Sequence, residues 1–179
     1  TLRDDKKNCI TQLITHEFSF YTKHPLTLSE FEALQADILE LAKKAPKNLQ
    51  LILSSFAVRT PDDYVINVVP IIECGDESNL HLAVKTCTSD VDPSYSEVCE
   101  GGRITKHCPK HVRDSAHPEL FPDLSAINLS LGGKQYQFSF ENIMFHQTAG
   151  SVPYCLGVEI CLDHCYRIAG TNLAHILDQ

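Results

Sequence analysis

YVINVVPIIECGDESNLHLAVKT, Tyr64 to Thr86, holds two apolar, β-branched runs separated by Cys74-Gly75-Asp76-Glu77. Runs of this kind bounded by turn residues read as strands, so Tyr64–Glu73 and Leu80–Thr86 are expected to form a hairpin. Immediately upstream, Leu49 to Val58 (LQLILSSFAV) reads as a further strand, closed by a turn at Pro61-Asp62-Asp63. Before it, Thr27 and Glu30 have the spacing of a capping box, in which hydroxyl and carboxylate satisfy free amides at a helix start. Leu28, Phe31, Leu34, Ile38 and Leu41 then recur every three or four residues, predicting an amphipathic helix. Lys43, Lys44 and Lys47 suit its C-terminal end, and Pro46 prevents its continuation. Ile10 to His16 (ITQLITH) reads as a strand ending at Glu17, with a loop over Tyr21–Leu26. The order strand, helix, strands predicts an α/β fold.

Downstream the pattern dissolves between Cys87 and Pro122, which hold Pro93, Pro109, Pro118 and Pro122 together with Gly101-Gly102. A loop of this length in a compact domain is functional, partly disordered or an insertion. Periodicity returns at Ser125–Leu131 and Gln135–Phe140, which flank the hairpin signal Gly132-Gly133. A closing strand, Leu156–Cys161 (LGVEIC), leads to Asp163-His164-Cys165 and a short helical tail. The expected organisation is one domain over 1–179, with an irregular insertion at about 87–123.

Composition narrows the function classes. Hydrophobic residues are 43% and charged residues 21% of the chain, close to globular averages, which excludes a disordered or low-complexity protein. Fifteen basic against twenty-three acidic residues give a net charge of -8, so a phosphate backbone would be repelled and no nucleic-acid partner is expected. No apolar run approaches the ~20 residues that span a bilayer, and no signal peptide is visible, so the expectation is a cytoplasmic protein, or one delivered without such a leader, and no membrane partner. Eight cysteines exceed the norm, but a chain of this size can build its core without staples. The best local metal pattern is His107-Cys108 with His111, preceded by Cys99 and followed by His117. Without a Cys-x-x-Cys pair it is a weak zinc signal, so the expected cofactor is none, with Cys99, Cys108, His111 and His117 as the alternative ligand set.

Three reactive groups fall where strands end. Glu17 follows the first strand, Lys85 ends another, and Cys161 ends the last; in α/β folds side chains converge on ligands at such ends. A cysteine at a strand-to-helix turn also gains free amides that favour its thiolate and can donate to an oxyanion.

Three segments resemble the nitrilase, or carbon–nitrogen hydrolase, superfamily. GVEICLDH at Gly157–His164 is similar to its nucleophile motif, and NVVPIIECGDESNLHLAVKT at Asn67–Thr86 to the strand, turn and strand that lead to its lysine. THEFSF at Thr15–Phe20, with the helix and strand behind it, is similar to its glutamate region. The resemblance implies an αββα sandwich, here in an incomplete or minimal version with a long insertion, and a Glu–Lys–Cys triad on Glu17, Lys85 and Cys161. It implies hydrolysis of a small amide or nitrile through a thioester-type intermediate, with the backbone amide of Leu162 as a second oxyanion donor. Two other readings stay open. One is a Cys–His peptidase, deamidase or acyltransferase using His146 on protein partners. The other is an inactive binding or effector module, and a homo-oligomer is compatible with each.

Overall fold

A computed structural model of the chain describes residues 10–16, 19–20, 22, 24–61, 64–85, 106–107, 124–139, 143–147, 153–160, 167, 170, 173–174 and 177. In chain order these form β1 (Thr11–Ile14), β2 (Leu26–Thr27), α1 (Leu28–Ala42), β3 (Leu49–Ile52), β4 (Phe56–Arg59), β5 (Tyr64–Glu73), β6 (Asn79–Val84), β7 (Lys106–His107), β8 (Asn128–Leu131), β9 (Lys134–Ser139), β10 (Ile143–Gln147) and β11 (Pro153–Gly157). The fold is a mixed, sheet-dominated α/β arrangement with one helix among the described residues. Its main sheet runs β1-β3-β5-β6-β9-β8. β1 and β3 are parallel, β5 is antiparallel to both β3 and β6, and β6 and β9 are parallel. Thus β1, β3, β6 and β9 all point the same way.

The long strand β5 organises the sheet. Its pleat sends Ile66, Val68 and Ile72 to one face and Val69 and Ile71 to the other, and all five are buried. Both faces of a central strand that is covered twice must be apolar, which is why this run shows no hydrophobic–polar alternation. The first face, with Leu80, Leu82 and Val84 of β6, packs under α1 and joins Leu129, Tyr136 and Phe138 in the larger core. Phe31 of α1 is its centre, its ring 5.6 Å from that of Phe56 and 6.2 Å from that of Phe138.

The expected capping box is present. Glu30 N–H donates to Thr27 Oγ1 at 3.3 Å, and Thr27 N–H donates to the Glu30 carboxylate at 2.8 Å. The buried line of α1 differs from the expected stripe, for it is Phe31, Gln35, Leu39 and Ala42. Leu34 and Leu41 lie 36% and 67% exposed. Apolar spacing alone did not choose between two adjacent stripes, and the helix turned the bulkiest residue, Phe31, inward at the cost of burying Gln35.

The expected strand Leu49–Val58 is two strands. β3 pairs with β5 through Ile52↔Ile71, and β4 resumes at Phe56↔Val68, so Leu53, Ser54 and Ser55 face only Val69 and Pro70. One extra residue makes a bulge. Its effect is visible in burial. Leu49, Leu51 and Leu53 serve the helix-side core before the bulge, and Phe56 and Val58 serve it after. The parity flips, and the apolar side chains stay inward. Leu26–Thr27, expected within or beside a loop, forms β2 and pairs with β4.

Both expected hairpins are found. At the β5–β6 turn Gly75 has φ +119°, and a Cβ there would stand 2.8 Å from Lys47 Cγ, so both conformation and space require glycine. Asp76 binds the Lys47 ammonium at 3.0 Å beside it. Gly132 and Gly133, at φ 56° and 80°, form the two-residue turn between β8 and β9. The closing strand is displaced from its expected place. β11 covers Pro153–Gly157 and pairs antiparallel with β10, while 158–160 continue without ladder bonds.

Candidate active site

Lys85 is the triad residue that lies within the described part of the chain, and its setting departs from that of an ordinary strand-end lysine. Its N–H donates to Asn67 O at 2.8 Å, continuing the β5–β6 ladder one residue past β6. The pleat therefore puts its side chain with Ala83, on the face away from α1. There it is 1% exposed. Lysine is almost never fully buried without a compensating partner, because taking the ammonium out of water costs several kcal/mol, of order.

The same face carries a second, smaller core. Val69, Ile71 and Ala83 pack there with Val158 and Ile160, and with the half-buried Ile52 and Leu156. The segment that leads to Cys161 thus covers the face on which Lys85 is buried. Between Val158 and Ile160, Glu159 is half-buried. The sheet face is zoned along the strands. Gln12, Gln50, Glu73 and Asn79 stand in register across four strands as a polar row. The next row is Ile14, Ile52, Ile71 and His81, then come Val69 and Ala83, and Lys85 lies beyond them opposite Asn67.

Strand direction matters for the expected triad. β1 and β6 point the same way, so the residues that follow each of them leave the sheet at one end. After β1, Thr15 N–H donates to Ile52 O at 3.1 Å, Ser19 N–H closes a turn on His16 O at 3.1 Å and also donates to Ser54 Oγ at 3.1 Å. The chain is tied to the β3–β4 bulge, next to Val69 and Pro70. Phe20 stacks on Phe56 with ring centroids 5.1 Å apart and holds the exit of this turn. Glu17, Cys161 and Leu162 lie outside the described residues, as do Cys99, Cys108, His111 and His117. His146 is paired through its backbone with Tyr154 in the β10–β11 ladder. Among the described residues no three His, Cys, Asp or Glu side chains gather as metal ligands.

Cys74 and Cys155 are both free thiols with opposite surroundings. Cys74 belongs to the helix-side core, and burial raises its pKa, which keeps it a thiol. Cys155 is exposed on β11.

The polar row and the His81–Glu73 pair escaped the sequence reading. His81 Nε2 stands 3.7 Å from the Glu73 carboxylate and 3.4 Å from Asn79 Nδ2. The available signal was strand parity, since Glu73, Asn79 and His81 share one side of a hairpin once the turn length is fixed.

Comparison of the chain with protein-family models, with curated proteins and with solved structures gives no match.

Proposed function

We propose that this chain is a hydrolase of non-peptide carbon–nitrogen bonds, acting on a small amide or nitrile with Cys161 as nucleophile, Glu17 as base and Lys85 as the cation that stabilises developing negative charge. The observation that carries this reading is the burial of Lys85 on the sheet face covered by Leu156–Ile160, the segment that runs into Cys161. A desolvated ammonium exerts a field on nearby charge that an exposed one does not. The shared direction of β1 and β6 and the tie of Ser19 to the bulge support it further.

The chemistry follows from these roles. Glu17 takes the thiol proton, and the sulfur attacks the amide carbon. The carbonyl oxygen gains the electron pair and is held by Lys85 and the Leu162 amide. Collapse of this intermediate breaks the C–N bond, and Glu17 returns the proton to the leaving amine, giving a thioester. Water, deprotonated by Glu17, then attacks the thioester; the carboxylic acid leaves and the thiol is restored. For a nitrile the nitrogen takes the place of the oxyanion, and two waters are consumed with release of ammonia.

A panel of short primary amides, incubated with the full chain and followed by ammonia release and intact mass, tests the reading. Turnover with an acyl adduct on the wild-type chain, lost in Cys161→Ala, is the expected result. An adduct or turnover that survives Cys161→Ala would exclude it. His146→Ala is expected to leave turnover unchanged, which separates this scheme from a Cys–His mechanism.

A further inference from the structure

A cavity of about 610 Å³ lies over β6 and β9, a volume in the range of ligand sites. The two strands are joined beneath it, Leu82 pairing with Phe138 and Ala83 with Ser139, so the space lies above the sheet and the strands form its floor. The pleat sends Leu80, Leu82, Tyr136 and Phe138 into the helix-side core. The side chains on the open side are therefore Asn79, His81 and Ala83 of β6 and Gln135, Gln137 and Ser139 of β9. Carried back from Ala83↔Ser139 in the same step, the register sets His81 beside Gln137 and Asn79 beside Gln135. Outside them, Glu73 stands opposite Asn79, Ser130 opposite Gln135 and Asn128 opposite Gln137. At its Ala83 end the floor passes under Val158 and Ile160.

The chemistry of this floor departs from that of an ordinary solvated sheet. One row runs from Gln12 through Gln50, Glu73, Asn79 and Gln135 to Ser130, and the next from Ile14 through Ile52, Ile71, His81 and Gln137 to Asn128. Together they hold a single carboxylate and no Lys or Arg, whereas a solvated surface usually mixes charges of both signs. Strands are depleted in asparagine, yet Asn79 and Asn128 both sit here. Amides and hydroxyls take the place of charge, and each of these groups both donates and accepts. Gln135 Nε2 donates to Ser130 Oγ at 3.0 Å, which fixes that amide. The His81 ring lies 3.7 Å from the Glu73 carboxylate and 3.4 Å from Asn79 Nδ2. Gln137, in the middle of β9, is exposed. An anionic ligand would gain Lys134 at the turn end and meet Glu73. An apolar ligand would strip water from the amides and put nothing in its place.

We propose that this floor binds a neutral oligosaccharide, whose hydroxyls give and take hydrogen bonds with the amides of Asn79, Gln135 and Gln137. A sugar hydroxyl matches such an amide because it too donates and accepts without carrying charge. Strand geometry spaces these side chains about 4.8 Å apart across the sheet and about 6.7 Å apart along it, so a chain of linked rings, with hydroxyls along its length, engages all three.

The probes are maltotriose, cellotriose and triacetylchitotriose, titrated separately into the full chain labelled with 15N, with the side-chain amide signals of Asn79, Gln135 and Gln137 followed directly. At least one trisaccharide is expected to shift these signals saturably. Gln137→Leu and Gln135→Leu should each weaken its binding by about tenfold or more. Both side chains are exposed, so the fold should survive each change, read by unaltered backbone amide shifts at Val68 and Ile72. Gln12→Leu, at the far end of the same polar row, should leave binding unchanged. Absence of a saturable shift with all three sugars, shifts confined to other residues, or equal binding by Gln137→Leu and the wild-type chain would overturn the proposal. None of these outcomes depends on Cys161 or Lys85, so the proposed hydrolysis stands or falls separately.

Discussion

The two faces of β5 are built from the same kind of residue and serve different ends. The helix side is an apolar layer, from Phe31 and Val58 to Leu129 and Phe138, closed by a well-capped helix that brings one polar side chain, Gln35, into it. The opposite side is divided into a polar row, a narrow apolar band and the buried Lys85, and its cover among the described residues is the end of β11 with the segment 158–160. A face devoted to packing can be uniform. A face that must also hold charge out of water needs zones, because an ammonium inside an unbroken apolar layer would have no compensation. The difference teaches that the sheet's stability and its proposed chemistry reside on separate sides of one strand.

The largest test of this division is Phe31→Ala. Removing a fully buried ring that touches two other rings should cost about 3–5 kcal/mol of stability, read by urea denaturation, whereas the same change at Phe20, 40% exposed, should cost far less. Lys85→Met retains the volume and removes the buried ammonium, and should lower amide turnover by about 10²–10³ in kcat, equivalent to about 2.7–4 kcal/mol. A stability loss without an activity loss would reassign Lys85 to a structural role.

A smaller effect is expected on the helix side at Gln35. Its amide nitrogen and oxygen are both buried without a hydrogen-bond partner among the described residues. Gln35→Leu should stabilise the fold by about 1–3 kcal/mol, because the unmet desolvation of the amide is removed. Loss of the helix cap in Thr27→Ala should cost about 1 kcal/mol. The same cap sets a pH dependence. The hydrogen bonds of Glu30 to the Thr27 backbone and hydroxyl lower its pKa, so its contribution is present above the unfolded carboxylate range and is lost as pH falls through the lowered value. The effect should vanish in Glu30→Gln. Mildest is a labelling contrast: iodoacetamide should modify Cys155 in the native chain and reach Cys74 only on unfolding. For Cys74 the linkage has the opposite sense, since its raised pKa destabilises the native state as pH climbs above the unfolded thiol range.

Much of the helix side was legible in the sequence. Tyr64–Glu73 has the bounds it was given, the capping box is made, and the two hairpin turns fall on Gly75 and on Gly132-Gly133. These features are local, and each is decided by a few residues within one turn of chain. The face of α1 was misread because Leu34, Ile38 and Leu41 satisfy the same period as Phe31, Gln35 and Leu39, and only the sheet beneath selects between them. The zoned face was harder still. Its rows join residues far apart in sequence, and Lys85 reads as a solvated lysine until the strand parity and the cover from Leu156–Ile160 are known. The displaced last strand shows the same limit, since Ile143–Gln147, its partner, gave no signal of its own.

Pro70 has a consequence for how the sheet finds its alignment. It sits in the middle of the longest strand, where a missing N–H would ordinarily break a ladder. Here its carbonyl accepts from Leu53 at 3.0 Å toward the bulge, and toward β6 it opposes Leu82 at a position where no bond is exchanged. The nitrogen that carries no hydrogen faces the bulge, so the neighbouring strand is irregular where a continuous ladder would ask Pro70 for a donor. The proline thus acts as a gap in a zip, and β3 and β4 could fuse into one unbroken strand only by leaving a carbonyl there without its amide.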